Sequence, residues 1–283
     1  MNLFVYDSTR RHMSLNQYLE GAKLLAEQAS TEGELLCTSS DFPALIVGEG
    51  LVYGELYEVD DMILKKLEWI EHYKDGDHIV KKIVKVSSDQ RVYDAWCYVS
   101  KKEKEQADVF IKSGDWKEYC YQRNLPENTS YFAYGSCMDN IRFKLASVDH
   151  HFTDIIGTGI LPNYSLRFTF QFEDGGRADI VEDGGTTEGI LYSISKEGLT
   201  YLYMREGVLI DYYRPTFVDI LINGEVHKDC LTFVVKTKKT ECAPPAHYLL
   251  EIIRGATGRL SEGYVKSIEK HATTLQTIDD LEE

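Results

Sequence analysis

Two glutamates stand where a helix would ordinarily place an apolar residue. Leu199, Leu202, Tyr203 and Glu206 follow one another at i, i+3, i+4 and i+7, the spacing of one helical face. Leu64, Leu67 and Glu71 repeat the pattern earlier in the chain. Each carboxylate falls on the stripe that faces a core, near the end of its helix. Gly207 follows the one, and the turn-like Lys74-Asp75-Gly76-Asp77 follows the other. Burial and the negative end of a helix dipole both disfavour a charged carboxylate. Both raise its pKa toward a range useful for general acid–base work. The competing reading is a glutamate that flanks the stripe, pointing to water or pairing with an arginine. The recurrence of the pattern favours the first.

A second pattern suits binding. Tyr131-Phe132-Ala133-Tyr134-Gly135-Ser136 is a short apolar run that ends in Gly and Ser. This reads as a buried strand feeding a tight loop. A glycine there lets backbone N–H groups approach a ligand closely, and such a nest suits a carboxylate. The next residue is Cys137, with His150 and His151 further on, but no spacing supports a Cys–His nucleophile, and a neutral, partly buried thiol is the expectation.

Other chemistries find no support. Gly157-Thr158-Gly159 lacks the third glycine and the helix of a dinucleotide fingerprint. The acidic residues Glu173, Asp174, Glu182 and Asp183 do not match an EF-hand loop and read as a solvated loop. Neither the eight histidines nor the six cysteines show metal-ligand spacing. No metal and no cofactor are expected.

The elements that position these residues occur twice. Leu3-Phe4-Val5-Tyr6-Asp7-Ser8 aligns with Tyr131–Ser136, 128 positions on; Gly54-Glu55-Leu56-Tyr57 aligns with Gly189-Ile190-Leu191-Tyr192, 135 positions on. The second offset runs without a gap through Asp60 and Ser195, both helix N-cap candidates, to Glu71 and Glu206. Strand-like runs follow each helix: Val80–Val86 and Val92–Val99 in the first copy, Thr216–Ile222 and Cys230–Val235 in the second. Strands dominate, with no regular strand–helix alternation, so the fold class is α+β: two copies of a small mixed β-barrel or sheet domain with flanking helices. The domains are placed at 1–121 and 129–283, separated by a polar stretch around Gln122–Thr129.

The 283 residues have a formal charge of −15, which argues against nucleic acid and against an anionic membrane surface. No stretch approaches the roughly 20 apolar residues of a membrane span, and the N-terminus does not read as a signal peptide. A cytoplasmic protein with reduced, largely buried cysteines is expected.

The second half resembles a gamma-glutamylcyclotransferase. The resemblance rests on Tyr131–Ser136, on Gly175-Gly176-Arg177-Ala178-Asp179-Ile180, on Glu206-Gly207-Val208 and on Ala243-Pro244-Pro245-Ala246-His247-Tyr248. The first half is similar to shorter members of the same superfamily through Phe42-Pro43-Ala44-Leu45, Gly54–Val59, Glu71 and Ser113-Gly114-Asp115-Trp116. The whole chain thus resembles tandem bacterial members. The resemblance implies a small gamma-glutamyl substrate, release of 5-oxoproline, and no cofactor. It implies Glu206 as acid and base, the loop residues Tyr131, Phe132, Ala133, Tyr134, Gly135 and Ser136 with Tyr248 as substrate contacts, and Glu71 as the counterpart of Glu206. Two positions depart from the pattern: Cys137 replaces an asparagine, and Asp7 replaces the loop glycine in the first copy. Asp7 would repel a substrate carboxylate, so the first copy is expected to be inactive or to bind something else. A binding module that kept the fold and lost turnover is the alternative for the whole chain.

Overall fold

The structure, a computed structural model, describes residues 1–38, 41–75, 78–101 and 108–282. The chain divides into two compact units, Met1–Leu125 and Pro126–Glu283. The first contains β1 (Asn2–Val5), β2 (Lys23–Cys37), β3 (Pro43–Glu58), α1 (Asp61–Asp75), β4 (Ile79–Ser88), β5 (Val92–Ser100), β6 (Val109–Phe110) and α2 (Trp116–Arg123). The second contains β7 (Asn128–Ala133), α3 (Asn140–Leu145), β8 (Ile155–Phe172), β9 (Gly175–Ser195), α4 (Lys196–Arg205), β10 (Tyr213–Ile222), β11 (Glu225–Val235), α5 (Ala246–Ala256) and α6 (Glu262–Glu282).

Both units close the same ring of five strands. In the first the order is β3-β1-β5-β4-β2, with β2 pairing back to β3 and β6 adding to the edge of β2. In the second it is β9-β7-β11-β10-β8, with β8 pairing back to β9. One contact in each ring is parallel: Leu3 opposite Trp96, and Tyr131 opposite Leu231. The antiparallel neighbour matches too, with Leu3 opposite Tyr57 and Tyr131 opposite Tyr192. The offsets of 128 and 135 read from the sequence are therefore the registers of corresponding ladders. Part of the seven-residue difference lies between β7 and β8, where α3 stands; the first unit has only a 3-10 turn, Asn16–Leu19, between β1 and β2.

A shared steric constraint explains the paired glycines. A Cβ on Gly54 would lie 2.2 Å from the Val5 carbonyl oxygen and 2.8 Å from the Phe4 ring. A Cβ on Gly189 would lie 2.4 Å from the Ala133 oxygen and 2.6 Å from the Phe132 ring. Each ring fills a barrel interior only because the crossing strand has no side chain there.

The helices that carry the two glutamates begin as their caps predict. The Ser195 hydroxyl accepts from the Gly198 N–H at 3.3 Å, and the Asp60 carboxylate accepts from the Ile63 N–H at 2.8 Å. Leu199 and Leu202 are buried in the second unit, Leu64 and Leu67 in the first. Gly76 and Asp77, part of the turn expected after α1, lie outside the described residues. The acidic segment read as a solvated loop is different. Most of it belongs to β9, a 21-residue strand, and Asp179 within it is fully buried. Its carboxylate pairs with Lys238 at 2.9 Å and accepts from Thr169 Oγ1 at 2.7 Å and the Val235 N–H at 2.9 Å. Those partners stand in for water and make burial tolerable.

Candidate functional site

The second unit holds a pocket open to solvent, walled in part by Tyr131, Tyr134, Gly135, Ser136, Glu206 and Tyr248. Residues far apart in sequence meet here because three elements end at it: β7 with its following turn, the C-terminus of α4, and the first turn of α5. Phe132 and Ala133 are not among the walls; both are buried in the barrel. Cys137 and Ala178, noted in the sequence only as a departure and as part of a motif, also wall the pocket, and Tyr213 and Phe233 were not singled out from sequence. Tyr213 and Phe233 belong to strands β10 and β11, where nothing in their spacing marks them.

Glu206 caps the C-terminal end of α4. Its N–H donates to the Leu202 carbonyl at 2.8 Å, and Gly207 then turns the chain away at φ +62°. A side chain at Gly207 would be strained at that φ and would meet Tyr212 at 2.9 Å, so glycine here is what stops the helix beside the cavity. The Glu206 side chain is 17% exposed. Burial raises its pKa, opposed by the Arg205 guanidinium, the Cys137 S–H and Arg142. Cys137 donates to Glu206 Oε1 at 3.3 Å, and burial pushes its own pKa up to about 11, so it stays a thiol at neutral pH. His151 faces elsewhere, 3.2 Å from the Ser195 hydroxyl.

The tyrosines are fixed by backbone. Tyr248 Oη accepts from the Ala178 N–H at 3.1 Å, which leaves its own proton free to be donated. Tyr213 Oη donates to the carbonyl of the same Ala178 at 2.8 Å, and Tyr134 Oη donates to the Phe233 carbonyl at 2.6 Å. A Cβ on Gly135 would lie 3.2 Å from Ala178 Cβ and 3.7 Å from Tyr248 Oη, so any side chain there would narrow the space between loop and tyrosine. Arg205 ties the loop to the helix, donating to Cys137 Sγ and Ser136 Oγ, each at 3.2 Å.

The first unit has a counterpart pocket, walled among others by Leu3, Tyr6, Asp7, Thr9, Glu71 and Tyr98. Tyr6 Oη donates to the Tyr98 carbonyl at 3.0 Å, as Tyr134 does to Phe233. Asp7 occupies the place of Gly135, and its Oδ1 accepts from the Thr9 N–H at 2.9 Å and from Thr9 Oγ1 at 2.5 Å. Pro43 takes the place of Ala178: Leu35 pairs with Leu45 and Leu36 with Ala44, just as Leu166 pairs with Ile180 and Arg167 with Asp179. Proline has no N–H to give a tyrosine.

Among the described residues no helix is long and apolar enough to cross a membrane. All six cysteines are free thiols, four of them buried.

Comparison with known proteins agrees with this duplicated architecture. The model of the family described as "Gamma-glutamyl cyclotransferase, AIG2-like" matches residues 3–118, and that of the "AIG2-like family" matches residues 186–268. YkqA of Bacillus subtilis (strain 168), which carries the gamma-glutamylcyclotransferase name provisionally, is 43% identical over 276 residues, 96% of this chain and 98% of the relative. The crystal structure of YkqA superposes with a TM-score of 0.89, covering 97% of this chain and 98% of that one at 42% identity. The gamma-L-glutamyl-butirosin B gamma-glutamyl cyclotransferase of Niallia circulans is 32% identical over 125 residues, 43% of this chain and 78% of its own. With two units of matching ring topology, and a relative aligned over nearly its whole length, the chain belongs to the gamma-glutamylcyclotransferase family as a tandem two-domain member.

Proposed function

We propose that the second unit releases 5-oxoproline and a free amine from a small gamma-glutamyl compound. The substrate's α-amine nitrogen attacks its own γ-carbonyl carbon, a five-membered ring closes, and the bond to the departing nitrogen breaks. The α-nitrogen loses two protons on the way from ammonium to ring amide: one passes to solvent as the attacking amine forms, and Glu206 as carboxylate takes the other as the ring closes and, as carboxylic acid, gives it to the leaving nitrogen. The pocket would hold the glutamyl chain curled, which supplies proximity. The Gly135–Cys137 turn and the Tyr248 hydroxyl offer donors to the substrate carboxylate and to the developing oxyanion. The observation that carries this reading is the placement of Glu206: partly buried, with its pKa raised, and lining the same pocket as Tyr134, Gly135, Ser136 and Tyr248.

Glu206→Gln keeps the shape and removes the titratable proton. Release of 5-oxoproline from a panel of gamma-glutamyl compounds should fall by at least about 100-fold, the usual contribution of general acid–base catalysis. Turnover near that of the native chain would refute the assignment.

A further inference from the structure

The pockets of the two units are built at matching positions, and their chemistry differs in one direction. Asp7 stands where the second unit has Gly135, 128 positions on. Ile70, buried, stands where the second unit has Arg205, 135 positions on. The guanidinium that favours the charged form of Glu206 therefore has no counterpart at that place beside Glu71. Tyr98 stands where the second unit has Phe233. β5 and β11 make the corresponding parallel contacts, and the Tyr98 and Phe233 carbonyls accept from Tyr6 and Tyr134 alike. Relative to the second unit, the first has gained a carboxylate and a hydroxyl and lost a cation.

Asp7, Glu71 and Tyr98 all wall the first unit's pocket, and each is less than a tenth exposed. No lysine, arginine or histidine belongs to these walls among the described residues. The Tyr98 hydroxyl is buried and has no hydrogen-bond partner among the described residues. Packing alone does not ask for it, since a phenylalanine fills the same place in the other copy and strands no polar atom. The neighbouring Cys97 thiol is pushed up by burial first and then by the charges of Glu71 and Asp7, so both carboxylates bear on one enclosure.

We infer that the first unit's pocket binds a primary ammonium group, the charged end of a small alkylamine, among Asp7, Glu71 and the Tyr98 hydroxyl. Such a group has three N–H donors and no acceptor. The pocket meets it with two carboxylates and a hydroxyl oxygen, and Leu3 and Leu67 give the alkyl stem an apolar wall. A cation also relieves the repulsion between two carboxylates held in one small space. A divalent metal ion would need more oxygen ligands than these walls supply. A free amine is also what the second unit is proposed to release, but binding in the first unit does not depend on that reaction.

The test titrates the whole chain at pH 7 with n-propylamine, which is protonated there as a lysine side chain is, and follows the heat of binding. Parallel titrations use 1-propanol, which lacks the charge, tetramethylammonium, which lacks the N–H donors, and magnesium ion. Propylammonium should bind saturably at a single site, and 1-propanol and tetramethylammonium at least about tenfold more weakly. Asp7→Asn, which keeps an acceptor for Thr9, and Glu71→Gln should each raise the Kd at least about tenfold. Tyr98→Phe, which installs the second unit's own residue, should raise it severalfold. Glu206→Gln should bind as the native chain does, which locates the site in the first unit. The assignment is overturned by any of four results: no saturable binding of propylammonium, equal binding of tetramethylammonium, a Kd within about twofold of native in both carboxylate variants, or loss of binding in Glu206→Gln. Displacement of propylammonium by magnesium at lower concentration would make the pocket a metal site and overturn it as well. None of these outcomes alters the case for 5-oxoproline release by the second unit.

Discussion

At the scale of single residues, the site places a carboxylate where it costs stability. Glu206 has a folded-state pKa above its unfolded value because burial disfavours the charge. The native state therefore holds its proton to higher pH than the unfolded chain does. Stability attributable to this group is greatest at low pH and is lost as pH rises from the unfolded pKa through the folded one. Glu206→Gln should thus raise Tm by a few degrees at pH 7 and leave it unchanged near pH 4. A variant less stable at pH 7 would contradict the burial argument. On the proposed mechanism the same group should set the acid limb of kcat/KM, above the ordinary glutamate range of about 4.3. On the same proposal Cys137 should bear on that limb without taking part in bond formation. Its S–H favours the charged form of Glu206, so Cys137→Ala should move the limb to higher pH while turnover persists within severalfold. Loss of turnover by Cys137→Ala, with the fold intact, would revive the nucleophile reading.

At the scale of elements, what was legible in the sequence was what repeats. The offset of 128 links β1 to β7 and that of 135 links β3 to β9, so strand registers could be read from identities at Gly54 and Gly189. Those glycines are also where the elements are least tolerant. A methyl group at either meets a backbone carbonyl and a phenylalanine ring, neither of which can swing aside. Gly54→Ala and Gly189→Ala should each destabilise by about 2–3 kcal/mol, the scale of overpacking, read from denaturant unfolding. A loss confined to one of them would mean the two crossings are not equivalent. The β8–β9 hairpin was hidden because its acidic residues resemble a loop. Only the structure brings Lys238, Thr169 and the Val235 N–H around Asp179. Ala178, the residue before it, holds both Tyr213 and Tyr248, a contact that the misread strand concealed. Long-range pairing of this kind leaves no local periodicity to detect.

For the molecule as a whole, duplication raises the question of which copy works, and charge narrows the answer. A chain of charge −15 gives no long-range help to an anionic substrate, so capture depends on donors at the site itself. The second unit keeps such donors exposed: Gly135 has no side chain to occupy the turn, and Arg142, Arg177 and Arg205 border an adjoining cleft. The first unit fills its own turn. Asp7 already takes the Thr9 N–H, and it shares a small, buried pocket with Glu71, so a substrate carboxylate would be a third negative group in one enclosure. Pro43 also removes the N–H that, at Ala178, orients a tyrosine in the other copy. In an otherwise native chain, Glu71→Gln should leave 5-oxoproline release within about twofold, against at least about a 100-fold loss for Glu206→Gln. In the Glu206→Gln background, Asp7→Gly should not restore release, because freeing the turn does not supply the missing tyrosine support at Pro43. Restored turnover would show that Asp7 alone silences the first copy. Loss of turnover from Glu71→Gln alone would move the reaction to the first unit.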